Sequence, residues 1–193
     1  YIANSLFFPF ITGKAFLFRI IVEIIFFAWV SLALFHPELR PSKTPVLWAV
    51  VSYISILSIA TIFGEDPIRS FWSNFERMEG LLAHLHSVAY FFVIAHVFKK
   101  EDWKTFFALF VSAGVIQNFH ALSQKLGYLA SPQGGFRVDG TIGNATYLAA
   151  YLLFVFAFAT FLLFTDRPKR IRFIHSLGFL FFVFYVVNTL VGD

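Results

Sequence analysis

Residues 141–165 read TIGNATYLAAYLLFVFAFATFLLFT, a run of 25 residues without one Asp, Glu, Lys or Arg. A helix crosses the hydrocarbon of a bilayer with about 20 mostly apolar residues, since each residue rises only about 1.5 Å. Working outward, residues 45–63, 81–98, 105–124 and 173–192 are equally free of charge, and 15–35 carries only Arg19 and Glu23. None shows the alternation over about ten residues that marks a barrel strand. The expected fold is therefore all-α: a polytopic transmembrane helix bundle with about six spans, near 15–35, 45–63, 81–98, 105–124, 144–165 and 173–192. No repeat, low-complexity tract or linker divides residues 1–193, which read as a single transmembrane domain. Arg19 and Glu23 stand four apart on one helix face, the spacing of an ion pair near the membrane surface.

Composition agrees. Hydrophobic residues make up 59% of the 193 and charged residues 13%, with 29 Phe; a soluble domain averages about 45–50% and about 25%. A soluble protein of this size leaves too much of its area in water to hide that surface. A soluble globular enzyme, a disordered tail and a collagen-like fibre are excluded. With no cysteine, so are disulfides, zinc knuckles and thiolate catalysis. The net charge of +4 and pI of about 9.4 fit basic cytoplasmic loops rather than nucleic-acid binding.

The basic residues set an orientation. Arg40, Lys43, Lys99, Lys100, Lys104, Arg167, Lys169, Arg170 and Arg172 lie in three short polar hairpins. Lys14, Arg19, Arg69, Arg77, Lys125 and Arg137 lie toward the other side. The richer side is expected in the cytoplasm. Residue 1 then falls outside, and residues 1–10 are apolar without a basic signal-peptide start. These features read as an internal fragment of a longer protein whose first segment is the outer end of a preceding helix.

Two longer breaks hold the chemistry. The first runs from Gly64 to Gly80. Asp66 before Pro67 is an N-cap signature, and on a continued helix Phe71, Phe75, Met78 and Leu82 share one face, opposite Arg69, Ser73, Glu76 and Arg77. That is a short amphipathic interfacial helix. Two readings stand side by side: a surface anchor with solvated charges, or a helix presenting Arg69 and Arg77 to a cavity with Glu76 and Glu79 orienting Arg77. The second break, from Lys125 to Gly143, surrounds Arg137 with four glycines ahead of a helix beginning near Asn144. It is either a flexible turn with Arg137 paired to Asp139, or an anion site. For the anion site, the glycines allow close backbone approach, the helix start supplies free N–H groups, and arginine supplies a planar fork. Neither break has a D-x-D pattern for Mg²⁺, so charge stabilisation falls to arginine, and no metal or other cofactor is expected. Among the histidines, His84 and His86 lie on nearly opposite helix faces, and His96, His120 and His175 are isolated; each reads as a hydrogen-bonded packing residue. Gln117, Asn118 and His120 cluster inside a span, where polar groups face the bundle interior.

Residues 71–81, FWSNFERMEGL, resemble the F-W-x-x-x-E-R-x-x-G-L segment of bacterial O-antigen ligase-like membrane proteins, and residues 137–149, RVDGTIGNATYLA, resemble their R-x-x-G-T-x-G-N-P-x-x-L-A segment. Residues 6–14, LFFPFITGK, are similar to that family's first outer loop. Ala145 stands where the family usually has proline. The resemblance implies a multi-pass protein of the bacterial inner membrane that moves glycan from an undecaprenyl-diphosphate carrier to lipid A-core, protein or a growing glycan on the periplasmic face. It makes Arg77 and Arg137 the diphosphate-binding candidates, with Arg69 beside them and Glu76, Glu79 and Asn144 in support. It requires no metal and places the catalytic base in a later half, so this chain is expected to bind carrier without turnover. Among its own loop carboxylates Asp139 is the least committed and is the alternative base. A transporter or flippase of an amphipathic or anionic substrate is the competing reading, and a non-catalytic scaffold the third.

The orientation has a direct check, and the cysteine-free background makes it clean. A cysteine introduced as Ser73→Cys is expected to react with an impermeant thiol reagent in intact cells, and one introduced as Lys100→Cys to stay unlabelled. The reverse pattern overturns the topology.

Overall fold

A computed structural model describes residues 11–74, 78–131 and 138–165. The expected helix at 173–192, the hairpin beginning at Asp166 and residues 1–10 lie outside the described residues. Within them the chain is all-helical, as hydrocarbon requires of any segment whose backbone has no water to bond. The helices are α1 (Thr12–Phe35), α2 (Pro45–Ile62), α3 (Pro67–Trp72), α4 (Leu81–Val97), α5 (Lys100–Lys125) and α6 (Ala145–Thr165), with a single 3-10 turn at Pro37–Leu39. Four of them, α1, α2, α5 and α6, are long and apolar enough to cross a membrane. The 17 residues of α4 reach about 25 Å at 1.5 Å per residue, short of the roughly 30 Å hydrocarbon core.

Local chemistry sets the boundaries. Thr44 caps α2 by accepting from the Leu47 N–H at 3.2 Å, with Pro45 at the first helical position. α5 starts five residues before the expected 105, because Asp102 reaches back to the Lys99 N–H at 2.8 Å. The charged hairpin is thus the first turn of the helix, where Glu101 and Asp102 suit the positive end of the dipole.

The chain divides into two compact units, Tyr1–Phe98 and Lys99–Asp193. In the first, α1 packs on α4, and α2 and α3 pack on α4 and on each other. The α1–α4 seam buries Arg19, Val22 and Trp29 against Leu81, His86 and Val93. Trp29 lies against Phe92 and His96 and donates its indole N–H to the Leu39 carbonyl at 3.0 Å. Arg40 folds back to the carbonyls of Ala33 and Leu34, at 2.9 and 3.1 Å, and so satisfies the end of α1.

In the second unit α5 packs on α6. The buried face of α6 is Leu148, Leu152, Val155, Ala159 and Leu162, the alternating four- and three-residue spacing of a left-handed helix pair. α5 answers with Val111, Gly114, Asn118, Ala121 and Gln124. Phe107 stacks on Phe158 with ring centroids 4.4 Å apart. Gly114 admits Val155 so closely that a Cβ there would lie 2.5 Å from a valine methyl. Small residues at such a crossing let two apolar helices gain van der Waals contact that lipid cannot match.

Gly114→Ala should therefore overpack the seam and lower the stability of the purified protein by about 1–3 kcal/mol. Adding Val155→Ala should recover most of that loss. Thermal unfolding in detergent or nanodiscs reads both, and additive losses in the double variant would show that the two residues do not share the contact.

Candidate functional site

The 64–80 loop begins as expected. Asp66 accepts from the Arg69 N–H at 3.0 Å and Pro67 opens α3. The helix then stops after six residues, because Ser73 turns to φ +62°, a left-handed value that no helix accommodates. Of the expected amphipathic face, Phe75 lies outside the described residues, and Phe71, Met78 and Leu82 do not share one helix: α3 ends at Trp72 and α4 begins at Leu81. The loop instead folds back on itself. Met78, also left-handed at φ +50°, donates its N–H to the Asn74 carbonyl at 2.9 Å. Gly80 sits against the carbonyls of Ser70 and Phe71, where any side chain would collide.

A residue of α1 fastens this loop. Arg19, 8% exposed, donates to the Met78 carbonyl at 2.6 Å, lies 3.3 Å from the Met78 Sδ, and carries its guanidinium over the Phe16 ring. The expected Arg19–Glu23 pair is not formed; Glu23 bonds His86 instead, at 3.0 Å. A guanidinium has five donors, and the acceptors crossing from the loop satisfy it where a neighbour on its own helix would leave the loop untied. Glu76 and Arg77 lie outside the described residues. Arg69 and Glu79 are exposed, and neither forms an ion pair among the described residues.

The second loop is fastened from α5. Gly127 (φ +81°) ends that helix, donating to the Gln124 carbonyl at 3.1 Å. The Gln124 side chain then works like a short piece of strand. Its Oε1 accepts from the Gly140 N–H at 2.8 Å, and its Nε2 donates to Asp139 Oδ1 at 3.0 Å and to the Gly140 carbonyl at 3.3 Å. Ser131 donates to Asp139 Oδ2 at 3.0 Å. One turn pair earlier, Gln117 accepts from the Thr141 hydroxyl at 2.7 Å, and its amide lies directly against Gly140, whose φ of +59° and missing side chain permit the approach. Arg137 lies outside the described residues.

Two sequence assignments change. Asp139 is 2% exposed and both carboxylate oxygens are taken, so it braces the loop and is not a free base. Asn144 is the cap of α6: its Oδ1 accepts from the N–H groups of Thr146 and Tyr147, at 2.9 and 3.3 Å. The helix start that looked open to an anion has already spent two donors on it. Ala145, at the first helical position, occupies a place where proline is equally at home.

Gln124 was missed because it reads as the polar end of a span. Its signal was the spacing of seven from Gln117, which puts both amides on one face of α5. The interior polar cluster is only partly satisfied: Gln117 Nε2, Asn118 Nδ2 and His120 Nδ1 are buried without a partner among the described residues. His96 bonds the Phe92 carbonyl at 2.7 Å, and His84 bonds the Tyr53 hydroxyl at 3.0 Å. No group of three His, Asp or Glu able to hold a metal occurs among the described residues.

Comparison with protein-family models, with curated proteins and with solved structures gave no match. The resemblance to O-antigen ligase-like proteins therefore stands on the sequence segments 6–14, 71–81 and 137–149 alone.

Gln124→Leu removes the acceptor of the Gly140 N–H and one partner of Asp139. It should cost about 1–3 kcal/mol for each buried group left unpaired. Faster hydrogen exchange at the amides of residues 140–143, with α6 unchanged, is the expected reading; unaltered exchange would show that the amide does not hold the loop.

Proposed function

We propose that the chain helps transfer glycan from an undecaprenyl-diphosphate carrier to an acceptor at the periplasmic face of the bacterial inner membrane, by holding the diphosphate of the carrier. The acceptor class is lipid A-core, protein or a growing glycan. The observation that carries this reading is that a residue close after each arginine is tied to an apolar helix, by the part-buried Arg19–Met78 bond and the buried Gln124–Asp139 bond. Met78, next to Arg77 in sequence, is held by Arg19, and Asp139, two residues after Arg137, is held by Gln124 and Ser131. Neighbouring residues held in place before a ligand arrives lower the conformational entropy lost on binding it. Arginine offers a planar fork to phosphate oxygens, and Arg69, exposed on α3, adds charge at the same loop. Glu76 and Glu79 orient Arg77 in this reading, and the membrane lipids supply the depth at which a lipid diphosphate sits.

A transporter is the second reading, favoured by one observation. Glu23 and His86 form an ionisable pair at the midpoint of α1, and ionisable groups inside a membrane commonly mark substrate or ion paths.

The test is binding of undecaprenyl-diphosphate-linked glycan to the protein in nanodiscs. Arg77→Ala or Arg137→Ala should weaken it by about ten- to a hundred-fold, the equivalent of one charge-assisted contact. Arg→Lys at either position should also weaken it, since a point charge cannot reproduce a bidentate fork. Undiminished binding by the double alanine variant sinks the assignment.

A further inference from the structure

Two hydroxyls and an imidazole stand together where α2 begins and α4 ends. The Thr44 oxygen accepts from the Leu47 N–H at 3.2 Å, which leaves its own hydrogen to donate elsewhere. The Ser42 hydroxyl has no partner among the described residues. On α4, His96 stacks on Phe92 with the rings 15° apart, lies against Trp29, and bonds the Phe92 carbonyl through Nδ1 at 2.7 Å. Its Nε2 has no partner among the described residues. These three residues line one cavity of about 190 Å³, with Leu47, Phe91 and Ala95 among its apolar walls. Further along, the Tyr53 hydroxyl and His84 join the same two helices at 3.0 Å.

Position and charge say what would fill the cavity. The 18 residues of α2 are long and apolar enough to cross a membrane, and none of them is buried by the protein. The first residue of a span lies at the edge of the hydrocarbon, where the glycerol and phosphate of a lipid lie. Ser42 and Thr44 stand just outside the span and Leu47 just inside it, so the cavity passes from polar to apolar as a phospholipid does. A soluble ion would leave the apolar walls bare, and a hydrocarbon chain would leave the hydroxyls and the imidazole nitrogen unpaired. The neighbouring charges favour an anion. Glu38 is paired with His36 at 3.2 Å, and Arg40 is committed to the carbonyls of Ala33 and Leu34. Lys43, between the two hydroxyl residues, is exposed and forms no ion pair among the described residues. Basic residues beside a span attract anionic lipid.

We propose that this cavity holds the headgroup of one anionic phospholipid. The Ser42 and Thr44 hydroxyls donate to its phosphate oxygens, Lys43 supplies the opposite charge, and the glycerol end of the acyl chains covers Leu47, Phe91 and Ala95. The site lies at the other end of α2 from the 64–80 loop and depends on neither reading of function.

The full chain, with isotope-labelled histidine, is purified in detergent and given phosphatidylglycerol, phosphatidylcholine, diacylglycerol or inorganic phosphate. Native mass spectrometry counts the retained lipid and nuclear magnetic resonance follows the His96 ring. The expected result is one phosphatidylglycerol retained per chain together with a shift of the His96 signal. Ser42→Ala removes one neutral donor and should weaken retention by about two- to ten-fold. Ala95→Phe, at an exposed position, fills the space and should abolish both signals while the His84 resonance, which reports the Tyr53 contact, stays in place. The wild-type chain decides the matter without any variant. Retention of phosphatidylcholine or diacylglycerol to the same extent overturns the proposal, as does the same His96 shift with inorganic phosphate alone. Phosphatidylglycerol retained with no response at His96 overturns it too.

Discussion

A guanidinium without water has to find its acceptors in the protein, and Arg19 finds them on Met78. The same demand shapes the rest of the first unit. The Trp29 indole N–H goes to the Leu39 carbonyl, and Arg40 to the last carbonyls of α1. Serines inside the helices return their hydroxyls to the carbonyl four residues back, as Ser31, Ser55, Ser58 and Ser87 do. Only groups too long or too highly charged for that local solution reach across to another element, and those are the ones that fix the tertiary arrangement.

The second unit uses a different balance. Hydrophobic burial does not drive two helices together in lipid, since lipid tails are as apolar as leucine. What α5 and α6 gain is shape: Val155 against the bare backbone at Gly114, Phe107 flat on Phe158, and a seam that repeats every three and four residues. On that base the amides of Gln124 and Gln117 have fixed positions from which to pair with residues 139–141. The loop is held by a packed helix, and the packing is good because the helix is smooth.

The candidate site was legible in the sequence to the extent that its chemistry is local. The Asp66–Pro67 cap and the helix start near Asn144 depend on neighbours within four residues, and each appears at its place. A short helix does form in the 64–80 loop, and it stops at Trp72 for a reason the periodicity cannot register. Ser73 adopts a left-handed turn, and that turn is sustained by the fold-back of Gly80 on α3 and by Arg19 reaching Met78 from about sixty positions away. Asp139 looked available because its partners, Gln124 and Ser131, come from the far side of the loop.

The sequence by itself determined that the chain is helical and membrane-like, because length without charge is a property of a segment and needs no partner. It also determined where most helices begin and end. Which face of each helix is buried was decided only by tertiary structure: α6 is apolar all round, so no periodicity distinguishes the Leu148–Leu162 face from the others until α5 lies against it. The partners of Arg19 and Glu23 were decided there as well. Spacing along one helix offered them each other, and the helix packing offered Met78 and His86 with better geometry. A polar side chain in hydrocarbon takes whichever acceptor or donor satisfies it most completely, and that choice exists only once the helices have met.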